Sequence, residues 1–193
     1  MGEYRSVPDV LAYLAGRWRV ERVVRDLAGG AAGEVAGEVA GRFTGTTDFS
    51  PLEPAASAHG RPGLLHHESG TFVWQGVARP AERTLRYLPG DPAGTARVEF
   101  SDGRPFHDLD LRTGHWVADH PCAADLYRGT FTVDGDDDWR TEWRVRGPAK
   151  DLVLSTTYHR DNAYDTDSNT YATDSATSSV PRRAADSTAP GSP

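Results

Sequence analysis

The sequence predicts an all-β protein: a closed antiparallel up-and-down β-barrel of about 8–10 strands, with a short N-terminal helix and a disordered C-terminal tail. Three observations lead there. Between Arg17 and Arg160 apolar and polar residues alternate with period two, as in half-buried strands. Gly, Pro and Asp clusters cut that stretch into short runs. Neither βαβ alternation nor an internal repeat appears.

The elements follow in order. Ser6 followed by Asp9 resembles a capping box, Pro8 fits a first helical turn, and Val10, Leu11 and Leu14 have helical spacing up to Gly16. Strand-like runs then cover 17–25, 34–48, 64–77, 82–89, 95–100, 104–111 and 115–120. Three later runs show the alternation most clearly. Residues 126–133 set Tyr127, Phe131 and Val133 against Arg128, Thr130 and Thr132. Residues 139–147 place Trp139, Thr141, Trp143 and Val145 on one face, and residues 151–160 align Leu152, Leu154, Thr156, Tyr158 and Arg160. From Asp161 onward Ser, Thr, Asp, Ala and Pro replace the apolar residues, too little to drive folding. The expected division is a barrel over 1–160 and a disordered tail over 161–193.

A formal net charge of -7 argues against nucleic-acid and anionic-membrane partners, which call for basic surfaces. The N-terminus lacks the apolar stretch of a signal peptide, and the single cysteine, Cys122, cannot close an internal disulfide. The expectation is a cytoplasmic protein.

Gly16-Arg17-Trp18 stands where the helix hands over to the first strand, and Arg160 closes the last strand on the face of Tyr158. This resembles the calycin barrels, lipocalins and fatty-acid-binding proteins, over roughly residues 8–160. In those families a Gly-x-Trp on the first strand packs under an arginine from the last, a cation–π seal at one barrel end. The chain is also similar to an uncharacterised bacterial family known as a domain of unknown function. The resemblance implies a ligand cavity, with Trp18 and Arg160 as the closure.

If Trp18 and Arg160 point inward, alternation lines the hollow with Trp74, Trp116, Phe131, Trp143 and Tyr158, a surface for a hydrophobic or aromatic ligand. A hairpin of 104–111 with 115–120, in the register that buries Leu111 and Leu109, would set His107 opposite His120. Opposed Cβ atoms lie about 5 Å apart. Asp125 and Tyr127 share the inward face of Phe131. His107, His120, Asp125 and Tyr127 are therefore the candidate acid/base residues, because paired imidazoles lower one another's basicity and leave a base at neutral pH.

The expected function is small-molecule binding, with cofactor-independent acid/base chemistry of the isomerase, dehydratase or cyclase type. One alternative is a non-catalytic carrier or sensor of a hydrophobic ligand. The other is a haem- or metal-binding barrel, with zinc or iron held by His107, His120 and either Cys122 or Asp125. No cofactor is required by the first two. His66 and Glu68, which share one face, form a second potential source of cavity groups, and Arg22 could hold an anion.

Overall fold

Trp18 lies fully buried beneath Arg160, whose guanidinium carbon stands 4.0 Å from the indole centroid. In the computed structural model, which describes residues 4–27, 37–52 and 62–162, this stack seals one end of a ten-stranded antiparallel barrel. The elements are α1 (Val10–Leu14), β1 (Gly16–Asp26), β2 (Glu38–Leu52), β3 (Gly63–Trp74), β4 (Val77–Pro89), β5 (Ala96–Phe100), β6 (Pro105–Leu109), β7 (His115–Cys122), β8 (Asp125–Val133), β9 (Asp138–Gly147) and β10 (Lys150–Arg160). They pair in the order β6-β5-β4-β3-β2-β1-β10-β9-β8-β7. The first and last strands thus pair directly, with Trp18 opposite Arg160 and Val20 opposite Tyr158.

The closed end is the better packed. Arg160 donates to the carbonyls of Ala15 (2.9 Å) and Tyr13 (2.7 Å), tying the last strand to the end of α1. The indole of Trp18 donates to Leu14 at 2.8 Å. Val10 and Leu14 of α1 join Trp18, Val20, Phe49, Val98 and Leu109 in the core. The helix cap differs from the expected box: Asp9 itself accepts from Ala12 (3.0 Å), while the Ser6 hydroxyl donates to the Arg112 carbonyl (2.5 Å). The segment before the helix is drawn away along the barrel floor, so Ser6 cannot reach back.

That same segment corrects the expected hairpin of 104–111 with 115–120. Among the described residues no ladder joins β6 to β7; the seam of the barrel lies between them. Gly114 closes a turn on the Leu111 carbonyl (2.8 Å), and the N-terminal segment runs beside it, Val7 donating to that same carbonyl (3.0 Å) and Arg5 to that of Val133 on β8 (3.1 Å). Across the seam Trp116 donates through its indole to the Asp108 carbonyl at 2.8 Å.

Pro80 lies inside β4, where the sequence reading leaves a gap between strands. It is tolerated because β5 pairs only with Leu85–Pro89, leaving the far half of β4 as an edge that needs no donor there. The barrel is therefore open at its side above β5 and β6. The expected start of a strand at 34–36 and the tail from Ala163 lie outside the described residues; Asp161 still donates to the Arg17 carbonyl at 2.9 Å.

Replacing Arg160 by alanine removes the stack and two carbonyl hydrogen bonds, and is expected to lower the unfolding free energy by about 3 kcal/mol in urea titrations. Arg160→Lys should recover less than half of that loss, because an ammonium cannot cover the ring and serve both carbonyls.

Candidate functional site

Above the closed end the interior changes from apolar to charged. Arg22 on β1, Glu68 on β3 and Arg83 on β4 face inward at the same height, since Trp18, Val20 and Arg22 share one strand face and Glu68 pairs with Arg83 across the ladder. Arg22 grips both carboxylate oxygens of Glu68, Nη1 to Oε1 at 2.9 Å and Nη2 to Oε2 at 2.8 Å. Its Nε donates to Thr156 Oγ1 at 2.8 Å, and the guanidinium lies 5.3 Å from the Phe43 centroid. Arg83 reaches Glu68 Oε2 with a single Nη2 at 3.3 Å. Side-chain exposure falls from 41% for Arg83 to 13% for Arg22 and 4% for Glu68, so the layer runs from the side opening into the interior. Burial alone would raise the Glu68 carboxyl; the hydrogen bonds from Arg22 and the charges of both arginines outweigh it and hold the group at about 2.

Over this layer lies a cavity of about 120 Å³. Arg22, Arg83, Thr141 and Thr156 form its polar part; Phe106, Tyr127, Trp143, Val145, Leu154 and Tyr158 form the rest. Gly129 shapes one wall. A Cβ there would stand 2.7 Å from the Trp143 ring, so the absent side chain lets the indole lie flat against β8. The Oγ1 of Thr141 is buried without a hydrogen-bond partner among the described residues.

Of the five aromatic residues expected to line the hollow, Trp143 and Tyr158 do so, and Tyr127 from the acid/base set joins them. Phe131 is buried deeper and supports Trp143 edge-on at 5.7 Å. Trp116 lies at the seam and Trp74 packs at the β3 end against Phe72 (5.9 Å), both away from the cavity lining.

The expected pairing of the two histidines is not formed. His107 stands opposite Val98, and His120 opposite Tyr127. Both imidazoles instead abut Phe106, at 4.7 and 4.9 Å between centroids. Since the Asp108 carbonyl can only accept, His107 Nδ1 at 2.9 Å carries the proton and Nε2 the lone pair. Burial lowers the His107 pKa to about 4, so the ring is neutral at pH 7. Asp125 serves neither histidine: its carboxylate pairs with Lys150 Nζ at 2.5 Å, and that ammonium lies 5.9 Å from the Tyr127 centroid. Cys122 is exposed, and among the described residues no three His, Cys, Asp or Glu side chains stand close enough to hold a metal ion. His66 lies next to the charge layer in the core, tilted against Phe49 (4.8 Å) and Tyr87 (5.8 Å), its Nδ1 without a partner among the described residues. Burial, helped by the Arg83 charge, lowers it to about 3.

Arg83 and Phe106 are the cavity residues that the sequence reading did not single out. The signal for Arg83 was its parity with Leu85 and Tyr87 inside the run 82–89, where a charged residue on the apolar face went unremarked. Phe106 was masked by its neighbour His107, because a strand that ends a sheet can turn adjacent side chains toward the same space.

These burials set an acid sensitivity. The unfolded chain protonates histidine near pH 6.5, whereas folded His107 and His66 resist protonation until about 4 and about 3, so stability falls as pH drops below 6.5. Glu68 adds a loss of the same sign between about 4.5 and 2, where the unfolded carboxylate protonates first. Urea unfolding from pH 7 to 4 is expected to show a decline on the order of 2–3 kcal/mol per buried histidine, and His107→Phe should flatten it.

Comparison with known proteins places the fold. A search of curated proteins found no match. Among solved structures, an S-type phycobiliprotein lyase from Guillardia theta is 12% identical with a TM-score of 0.58, over 82% of this chain and 94% of that one. A protein of unknown function of the DUF3598 family, from Nostoc punctiforme, is 13% identical with a TM-score of 0.52; it matches 82% of this chain, which spans 51% of that one. Both likenesses concern the barrel, in line with the calycin-like closure by Trp18 and Arg160. Residues 14–160 match the model of DUF6314, a family of unknown function, and the chain belongs to that family.

Proposed function

We propose that this chain is a binding barrel for a small, partly apolar, unsaturated ligand that enters from the side opening and lies against Trp143. The observation that carries the reading is the contrast between the two halves of the interior. Trp18, Val20, Phe49 and Leu109 fill the closed end, yet above them a hollow of about 120 Å³ remains, walled by flat rings and floored by charge. An engineered cavity of about 150 Å³ accepts benzene, so this smaller hollow holds no more than a single ring or an equivalent conjugated segment, with the rest of the ligand toward the side opening. The barrel resembles a phycobiliprotein lyase in fold, which supports a vessel for a small molecule.

Turnover is the second reading, and one observation favours it. His107 lies behind the Trp143 ring, 5.4 Å between centroids, as a neutral imidazole whose Nε2 carries the lone pair. Isomerisation, dehydration or cyclisation would need such a base and no cofactor. Asp125, held by Lys150, does not support that role, and His120 and Tyr127 would act from the far side of Phe106 and from the cavity wall.

Native mass spectrometry of the purified full chain is expected to show a small-molecule adduct that is released on unfolding. Gly129→Val, which would drive the Trp143 ring into the hollow, should abolish the adduct while leaving a folded barrel by circular dichroism. A chain that carries nothing, and whose tryptophan fluorescence no single-ring compound alters, would refute the binding reading. Conversion of the bound compound by wild type but not by His107→Gln, with retention unchanged, would establish turnover.

A further inference from the structure

The charge layer does not balance. Glu68 offers two oxygens, and Arg22 takes both, with its Nε spent on Thr156. Arg83 touches only the oxygen that Arg22 already holds at 2.8 Å, and at the longer distance of 3.3 Å. Two guanidinium groups thus share one carboxylate. The remaining titratable neighbours do not make up the difference. Burial pushes the Tyr87 phenol up and the His66 and His107 imidazoles down, leaving all three neutral at pH 7. Asp125 is matched by Lys150 at 2.5 Å. Among the described residues the charge layer at the cavity therefore holds two guanidinium groups and one carboxylate, and Arg83, at the side opening, is the less fully paired of the two.

We infer that the ligand is a monoanion, a carboxylate on a flat unsaturated frame, and that Arg83 is the residue that takes the carboxylate. This rests on the binding reading above. Arg83 lines the same hollow as Trp143 and Phe106, so a ring on the indole presents a short acidic substituent to the guanidinium. At 41% exposure its fork faces the side opening, whereas Arg22 is locked in the interior by three hydrogen bonds. Thr141 supplies the second contact: its buried hydroxyl, without a partner among the described residues, lines the same space and can donate to the other carboxylate oxygen. One free guanidinium and one hydroxyl match a monoanion; a phosphate dianion would need a second free cation. The bound carboxylate neutralises Arg83 and satisfies Thr141 in one step.

The test compares cinnamate with cinnamamide, which share shape and differ in charge, by titrating the ¹⁵N-labelled full chain and following the Trp143 indole resonance at pH 7. Cinnamate is expected to bind about tenfold more tightly than the amide or better. Added salt should weaken the acid and leave the amide unchanged. Arg83→Gln should erase the preference by weakening cinnamate alone, and Arg83→Lys should keep part of it. Equal affinity of acid and amide in wild type overturns the anion inference while the binding reading stands. A Trp143 resonance that neither compound moves removes the binding reading and this inference together.

Discussion

The stacking of Arg160 over Trp18 fixes more than one end of the barrel. Because these residues face each other in the β1–β10 ladder, they set the parity of every residue above them: Tyr158 with Val20, Thr156 with Arg22, Leu154 with Val24. Side chains alternate with period two, so a slip of one residue would turn the whole set outward. The two hydrogen bonds from Arg160 to the end of α1 make such a slip costly, since the guanidinium would leave both carbonyls and the ring at once. The cavity residues on β9 inherit the same parity through Thr156 opposite Thr141 and Leu154 opposite Trp143.

The layer of Arg22, Glu68 and Arg83 marks where packing gives way to a hollow. Desolvating ions is expensive, and replacing a buried ion pair by apolar side chains is often neutral or stabilising. Leucine or methionine at these positions would continue the core formed by Val20 and Phe49. Stability alone therefore does not account for the layer. Its geometry does have a stabilising logic once it exists: Glu68 accepts from both arginines, and removal of the carboxylate would leave Arg22 with hydroxyl partners alone in the interior.

Strand content and face were legible in the sequence because period-two alternation records which side of a sheet is wet. Trp18 and Arg160 gave the closure because their chemistry is distinctive and their positions terminal. Alternation does not record which strand pairs with which. The seam between β6 and β7 depends on where residues 5–7 run, and nothing in those residues signals that they will claim the carbonyls of Leu111 and Val133. The partner of Asp125 was equally hidden. The β8–β9 and β9–β10 ladders bring Gly147 alongside it, and a side chain at 147 would strike the carboxylate; glycine there leaves Asp125 its path to Lys150. Such relations exist only once three strands are in register.

Glycine placement decides how two aromatic rings lie on the barrel wall, Phe43 beside the charge layer and Trp143 in the cavity. Gly45 and Gly70 face each other across β2 and β3, and a Cβ on either would stand 2.9 or 2.8 Å from the Phe43 ring tip. Gly129 does the same for Trp143. Each glycine in a strand costs about 0.5–1 kcal/mol relative to alanine. Covering the bare backbone with an aromatic ring offsets part of that cost, as in designed sheets where aromatic residues rescue glycines. The ring, lying along the wall, no longer crosses the interior. At Gly45 and Gly70 an added Cβ would also strike the backbone of the facing strand, whereas at Gly129 alanine or valine would meet the Trp143 ring and tilt it into the space over the charge layer. At Gly129 the sequence forgoes the gain of an alanine beside the cavity, and the result is a flat aromatic surface in the same hollow as Arg83, which among the described residues shares its one carboxylate with Arg22.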